Sequence, residues 1–276
     1  RQTLVVGMAM GMTSYEPVVN LEKLHLLFRK HKIPSQANFL YMTLPGSLLD
    51  RFAGPRGYRR VELQPDNDNT VAGRHSGPLT RGSLYPLALN GVNLDAWIGA
   101  TALSEAEVDA ALRLAAFLHG NGVQSRDKVI LLLPPEWRGA GVWTKQDFEE
   151  SLGKSEQLGI KIFPGFEPGP GRVFWAVQVR GCHNLPSGLL RSFGHPLAVT
   201  RLGGPMALPR YMQWVHYVVF GLACLRRMNF VTQPSVELYK QITNRLHRQS
   251  RRLGKVERTR EWQALARSRH HAGSLG

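Results

Sequence analysis

Two hydroxyl residues beside a glycine turn near the start of the chain have the types and spacing of a phosphate-binding loop. The stretch LVVGMAMGMTSYEP, residues 4–17, reads as a buried strand, a glycine turn and the start of a helix that carries Thr13, Ser14 and Glu16. Hydroxyl groups and the free backbone N–H groups at the start of a helix together bind phosphate. Three methionines stand where such a loop usually has hydroxyl or small residues: Met8, Met10 and Met12. We expect the methionines to fill core space and the loop to be a relic.

A second group of residues with chemical potential lies at the other end of the chain, where basic residues dominate. The chain has a net charge of +15 and a pI of about 10.4. Residues 241–276 hold nine Lys or Arg and two Glu, a net charge of +7 in 36 residues, which leaves +8 for the rest. This excess favours a polyanionic partner, and RNA is the polyanion we expect. The alternative is a solvated, disordered tail.

Within this basic tail, the spacing of the cations predicts a surface for a phosphate backbone. Spacings of three and four residues place four of them along one face of a helix. We expect that face and one neighbour to lie nearest to RNA: Arg245, Arg248, Arg251, Arg252 and Lys255. Trp262 could stack on a base or pack against its own domain.

Composition argues against several other kinds of site. The two cysteines, Cys182 and Cys224, lie far apart, so the sequence predicts no disulfide framework, no metal site and a reducing compartment. We also expect no cofactor. The longest apolar run, residues 215–225, is too short to span a bilayer. The chain opens on Arg1 without a secretory signal, which suggests a processed or incomplete product.

Alternating strands and helices must position these residues. Short apolar runs predict strands at 3–7, 38–43, 59–64 and 128–135, and in IKIFP, RVFWAVQV and PLAVTRL. Apolar residues at helical spacing predict helices at 16–31, 46–54, 208–228 and in TKQDFEESL, and Ser104 with Glu107 forms a capping box. Alternation of this kind predicts an α/β fold with mainly parallel sheets.

We therefore predict two α/β lobes and a basic helical tail. The first lobe covers residues 1–100, the second covers residues 101–240, and the basic C-terminal extension covers residues 241–276. The first lobe is expected to be incomplete, because a doubly wound lobe rarely opens with the strand that carries its ligand loop.

Four stretches, in the right order, resemble the glucose-6-phosphate isomerase family. QPSVELYK (Gln233–Lys240) resembles the signature Gln-any-Gly-Val-Glu-any-any-Lys, with Ser235 in place of Gly. EESLGK (Glu149–Lys154) resembles the family's Glu-Ser-Thr/Asn-Gly-Lys, and VAGRHS (Val71–Ser76) resembles its Gly-Gly-Arg-Tyr/Phe-Ser. The opening stretch resembles its Ser-Lys-Ser-Gly-Thr-Thr-any-Glu-Pro phosphate loop. Residues 73–98 are similar throughout to the isomerase moiety of bacterial transaldolase/isomerase fusions. The resemblance implies SIS-type, three-layer αβα lobes.

The resemblance also implies an ancestral chemistry, the interconversion of an aldose and a ketose through an enediolate. By position, Glu150 would be the base that moves a proton between neighbouring carbons. Arg74 would stabilise negative charge on the sugar oxygens, and Lys240 would assist ring opening or hold the ring oxygen. The ordinary alternatives are an exposed helix residue, a loop charge and a helix-face charge paired with Glu237.

This chain departs from the family at the phosphate loop and at the ring-opening histidine. Thr13 and Ser14 fall on the paired threonines, but the preceding Ser-Lys-Ser-Gly is replaced by residues 9–12, Ala-Met-Gly-Met. Each lost charge-assisted contact costs about 1.5–3 kcal/mol, so sugar phosphate binding should be weakened by orders of magnitude. His216, inside an apolar helix, is the nearest candidate for the histidine.

These departures predict a pseudoenzyme. We expect a degenerate isomerase-like protein that acts as a structural, RNA-contacting subunit of a large ribonucleoprotein, with an organellar ribosome in the mitochondrial matrix as the favoured assembly and the cytoplasm as the other compartment considered. The alternative is an active isomerase that interconverts glucose 6-phosphate and fructose 6-phosphate. A third hypothesis is a sensor that binds a sugar phosphate without turnover.

Overall fold

The protein divides by its internal contacts into two compact units. The computed structural model describes residues 3–63, 77–122, 128–153, 160–165, 172–192, 194–204, 206–231 and 234–272. The first unit comprises Arg1–Leu63 with Pro234–Gly276, and the second comprises Gln64–Gln233. These ranges differ from the sequence ranges 1–100, 101–240 and 241–276, because the C-terminal helices pack with the first 63 residues.

Strands and helices alternate along the described residues. The strands are β1 (Val5–Ala9), β2 (Phe39–Thr43), β3 (Arg59–Glu62), β4 (Lys128–Leu132), β5 (Lys161–Pro164), β6 (Arg172–Val179) and β7 (Leu197–Leu202). The helices are α1 (Glu16–Lys30), α2 (Leu48–Ala53), α3 (Arg81–Leu89), α4 (Leu94–Gly99), α5 (Glu105–Asn121), α6 (Arg138–Leu152), α7 (Ser187–Arg191), α8 (Ala207–Arg226), α9 (Pro234–Leu253) and α10 (Arg260–Ala272). Every strand pairing is parallel.

The first unit is built on a three-stranded sheet in the order β1-β2-β3. All five residues of the central strand β2 are buried, as expected for a strand covered on both faces. Phe39 and Tyr41 on this strand pack with Leu21 of α1 and Leu49 of α2 to form the core. Helix α2 ends at Ala53 with Gly54 as its C-cap, as the sequence suggested. Gly54 is right-handed and begins a 3₁₀ turn, and the left-handed residue is Gly57, with φ of 70°.

The second unit is built on a four-stranded sheet in the order β5-β4-β6-β7. The strand predicted at 128–135 forms β4 (Lys128–Leu132), an inner strand of the sheet. The last four residues of β4 are buried. Helices α5 and α8 pack closely, since a Cβ on Gly221 would lie 2.8 Å from Leu112 Cδ2. The buried helix predicted at 208–228 is confirmed as α8, and the predicted capping box of Ser104 and Glu107 starts α5.

The predicted fold class is confirmed: the chain has an α/β fold with parallel sheets, of the three-layer αβα kind. Among the described residues, no helix is long and apolar enough to cross a membrane. Because the strands of the first sheet are parallel, the loop that follows β1 lies at the carboxyl edge of that sheet. Ligands of open α/β sheets bind at this edge.

Candidate functional site

The loop between β1 and α1 gathers groups that could hold an anion. A Cβ on Gly11 would lie 2.7 Å from Ser14 Oγ and 3.4 Å from Lys240 Nζ, so a hydroxyl and an ammonium both face this glycine. Tyr15 is the N-cap residue of α1, and Pro17 lies in the first turn, which leaves the N–H groups at the helix start near the loop. The structure therefore brings together Ser14 and Lys240, two residues that sequence reasoning selects for different reasons.

Three residues near Lys240 on helix α9 contact the loop or the start of α1, and these contacts hold Lys240 beside the loop. The Tyr239 hydroxyl donates a hydrogen bond to Glu16 Oε1. Asn244 Nδ2 donates to the Thr13 carbonyl oxygen at 3.5 Å. The rings of His247 and Tyr15 lie 4.3 Å apart between centroids. These contacts hold the C-terminal helix against the loop in the same unit.

The electrostatics of this contact favour ionised Glu16 and neutral His247. The hydrogen bond from Tyr239 lowers the pKa of Glu16 below its usual value, and the positive charge of Lys240 adds to the effect. Burial lowers the pKa of His247, with a further contribution from Arg251. Burial raises the pKa of Tyr15.

The methionines of the loop do not fill the core as the sequence suggested. Met8 and Met12 are exposed to 44% and 37%, and only Met10 packs into a small apolar cluster, around Met42 and Leu40. Met8 is exposed because β1 is an edge strand whose side chains alternate between the core and the surface, and Met12 lies in the loop beyond that strand. The loop sequence lacks the family's lysine, yet the Lys240 ammonium supplies a positive charge at the same loop from another helix.

The other residues predicted to be catalytic belong to the second unit or fall outside the described residues. Glu150 belongs to the second unit, near the end of α6, where it is half-buried and accepts a hydrogen bond from Gln146 Nε2 at 2.9 Å. His216 is buried in α8, with its ring 5.4 Å from that of Trp143, as expected of a core histidine. Arg74 and Glu237 fall outside the residues, or side chains, that the structure describes. Among the described residues, no group of three or more His, Cys, Asp and Glu could hold a metal ion.

The basic C-terminal residues form a helix pair that we call the basic hairpin, residues 241–272 of α9 and α10. Every described Lys and Arg of the basic hairpin is exposed, and these are Arg245, Arg248, Arg251, Arg252, Lys255, Arg258, Arg260 and Arg267. The hairpin is helical and packs on its own unit, so it is not the disordered tail considered as the alternative.

The five cations predicted to lie nearest to RNA do not share one environment, because two of them lie beside carboxylates and Lys255 lies beyond the end of α9. Arg245 forms an ion pair with Glu261 at 3.2 Å, and Arg251 approaches Glu22 at 3.9 Å. Lys255 does not continue the face, because α9 ends at Leu253 and Gly254 turns the chain with φ of 77°.

Two arginines that sequence reasoning missed join Arg248 and Arg252. Arg258 and Arg260 line the same groove, which has a volume of about 510 Å³. The sequence signal for these two arginines is a helix boundary, since Gly254 is a typical helix end and Thr259 is a typical helix start.

Comparison with known proteins agrees with the resemblance seen in the motifs. No protein-family model matches the chain. Two glucose-6-phosphate isomerases, from Synechococcus sp. strains JA-2-3B'a(2-13) and JA-3-3Ab, are each 32% identical to it over 166 residues, which is 57% of this chain and 30% of theirs. The chain therefore spans about a third of the length of these curated relatives.

Solved structures with the same fold extend over most of the chain. A hypothetical protein of Thermus thermophilus has a TM-score of 0.72 and 21% identity, covering 89% of this chain and 71% of its own. A glucose-6-phosphate isomerase of Chlamydia trachomatis has a TM-score of 0.64 and 15% identity, covering 98% of this chain and 63% of its own. A glucosamine-6-phosphate deaminase of Thermotoga maritima has a TM-score of 0.52 and 9% identity, covering 84% and 73%. The chain is thus a homologue of glucose-6-phosphate isomerases over the matched residues and has the SIS sugar isomerase fold.

Proposed function

We propose that this chain, a homologue of glucose-6-phosphate isomerases, acts as an RNA-contacting structural subunit of a large ribonucleoprotein. The observation that carries the proposal is the basic hairpin, in which eight described cations are all exposed. Among the described residues, the carboxylates of Glu261 and Glu22 approach Arg245 and Arg251 respectively. A folded surface that keeps this many cations in water suits a polyanion, since each phosphate contact releases condensed counterions.

The net charge of +15 supports the same proposal at longer range. A strongly basic protein attracts nucleic acid from a distance and binds its backbone without regard to sequence. The assembly we propose is an organellar ribosome in the mitochondrial matrix. To test this assembly, organelle extracts are sedimented before and after nuclease treatment. We expect the protein to sediment with RNA-containing particles and to leave them once the RNA is digested.

The direct test compares the full chain with a full-length variant in which the eight exposed cations of the basic hairpin are changed to Gln. Binding of a labelled polyuridylate oligonucleotide is followed by fluorescence anisotropy. We expect the wild-type protein to bind and the variant to lose at least about tenfold in affinity. Equal affinity of the two proteins would contradict the proposal. Point substitutions are preferable to a truncation after Lys240, which would also remove the contacts of Asn244 and His247 with the first unit.

A second candidate function is the binding or isomerisation of a sugar phosphate at the loop after β1. The specific observation that favours it is the position of Lys240 Nζ and Ser14 Oγ beside Gly11. Against it stand Ala9, Met10 and Gly11 in place of the family's Ser-Lys-Ser, and Met12 in place of its glycine. We expect no turnover of glucose 6-phosphate or fructose 6-phosphate above background. Turnover that Glu150→Gln abolished would favour the enzyme instead.

A further inference from the structure

Four arginines of the basic hairpin converge on one groove where α9 turns into α10. The groove has a volume of about 510 Å³ and is lined by Arg248, Gln249, Arg252, Leu253, Arg258 and Arg260. No carboxylate is present among these lining residues. We call this feature the arginine groove.

The turn between the helices builds the arginine groove from two separate elements. Gly254 adopts a left-handed conformation that ends α9, and a 3₁₀ turn at Val256–Arg258 follows. Thr259 is fully buried; its hydroxyl donates to the Val256 carbonyl oxygen at 2.6 Å and accepts from Trp262 N–H at 3.3 Å, which caps α10. Arg258 and Arg260 flank this fixed residue and therefore lie against the last turns of α9.

Backbone contacts orient two of the four guanidinium groups. Arg248 Nε donates to the Asn244 carbonyl oxygen at 3.3 Å, and Arg258 Nη1 donates to the Leu253 carbonyl oxygen at 3.2 Å. A guanidinium carries five N–H donors, so most donors of both groups remain for a ligand. Arg252 and Arg260 form no side-chain hydrogen bond or ion pair with another described residue.

The charges around the arginine groove are not balanced from within. Arg248 and Arg252 are one helical turn apart, a spacing at which like charges repel. Glu261 accepts a hydrogen bond at 3.4 Å from Nε2 of Gln249, which lines the groove, and it pairs with Arg245, which does not. An anion bound in the groove would relieve this repulsion, and phosphate is the anion that matches the guanidinium fork.

We propose that the arginine groove binds consecutive phosphates of an RNA strand through its phosphodiester backbone. This inference rests on the proposed function and deepens it by naming the site and the ligand group. The i,i+4 arginines of α9 are about 5–6 Å apart at Cβ, a spacing suited to neighbouring phosphates of one strand. Exposed cations beyond the groove, Lys255 and Arg267, would extend the path of the strand. Trp262 on α10 is 43% exposed and offers a face on which a base can stack.

The test uses two full-length variants with the same net charge. The groove variant carries Arg248→Gln, Arg252→Gln, Arg258→Gln and Arg260→Gln. The control variant carries Gln at four exposed arginines of the second unit, Arg138, Arg180, Arg191 and Arg201. A third variant, Arg252→Gln with Arg260→Gln, changes only the two groove arginines that form no hydrogen bond or ion pair with another described residue. It tests the groove without removing the contacts that Arg248 and Arg258 make to the backbone. Each protein is titrated with labelled polyuridylate and, separately, with inorganic tripolyphosphate.

We expect the groove variant to lose at least about tenfold in RNA affinity, the double variant to lose part of that, and the control variant to stay within about threefold of wild type. Equal losses of affinity in the groove and control variants would contradict the proposal that the arginine groove is the RNA site, while leaving the proposal of RNA binding in place. A wild-type protein that binds tripolyphosphate but not RNA would overturn RNA as the ligand and the proposed function with it. Binding of neither ligand would overturn both proposals.

Discussion

The Tyr239 hydroxyl donates a hydrogen bond to Glu16 and so links helix α9 to the start of α1. Because this bond lowers the pKa of Glu16 in the folded protein, its contribution to stability is present above the unfolded pKa, about 4.5. The contribution is lost as the pH falls through the lower, folded pKa. Both side chains are exposed, so water limits the size of the effect.

We predict that Tyr239→Phe lowers the free energy of unfolding by about 0.5–1 kcal/mol at neutral pH and moves the pKa of Glu16 back toward its usual value. Urea unfolding and an NMR titration of the Glu16 carboxyl group measure the two effects. Tyr217→Phe, in the second unit, is the matched control, for which we expect an unchanged Glu16 titration. An unchanged pKa of Glu16 in Tyr239→Phe would show that the hydrogen bond is absent in solution.

At this scale the sequence identifies residues but not their neighbours. A family motif selects Lys240 and the loop pattern selects Ser14. No pattern in the sequence predicts that these two residues are close in space. Their meeting depends on α9 returning to the first sheet, which is a tertiary contact between the two ends of the chain. Sequence periodicity carries no information about such a return.

Helix α10 begins at a cap formed by the side chain of Thr259. Thr259 is fully buried, and its hydroxyl accepts from the Trp262 N–H. We predict that Thr259→Ala destabilises the helix pair by about 1 kcal/mol, within a usual range of about 0.5–2 kcal/mol, whereas Thr259→Ser retains most of the cap. Hydrogen exchange of the α10 amides measures this. Equal protection in the Ala and Ser variants would contradict the capping role.

Helix α9 should loosen at mildly acidic pH. Tyr15, Glu22 and Arg251 face His247, and burial lowers the pKa of His247 from the ordinary value of about 6.5. A lowered pKa means that the unfolded chain binds more protons just below pH 6.5, so stability falls there and levels off below the folded pKa.

We therefore predict that the α9 amides exchange a few-fold faster about one pH unit below 6.5 than near neutral pH, after correction for the intrinsic rate. His247→Phe keeps a ring against Tyr15 and should remove part of this difference. His25 of the first unit, whose pKa burial also lowers, supplies a second titration. His25→Gln is therefore measured alongside. A difference that persists in both variants would rule out these histidines.

The elements themselves are largely predictable from the sequence. Strand β4 and helix α8 follow from apolar runs and helical spacing, and the Ser104 capping box fixes the start of α5. The end of α9 is not predicted by charge spacing, which continues the cationic face to Lys255. The positive φ of Gly254 decides this boundary.

For the whole molecule, the sequence predicts the α/β class and the relationship to glucose-6-phosphate isomerases. The order of the four motifs carries the relationship, and the alternation of strands and helices carries the class. The grouping of Pro234–Gly276 with the first 63 residues could not be read from the sequence, since it depends on tertiary packing. The basic hairpin is consequently part of a folded unit, which positions the helices that carry its cations.

The salt dependence of RNA binding by the full-length protein tests the central claim most directly. Affinity for labelled polyuridylate is measured by fluorescence anisotropy over a series of salt concentrations. With four or more phosphates held by arginines, the log–log slope of the association constant against salt should be about −3 or steeper, at about −0.7 per contact on a single strand. Absence of RNA binding, or binding with a slope near zero, would contradict the account.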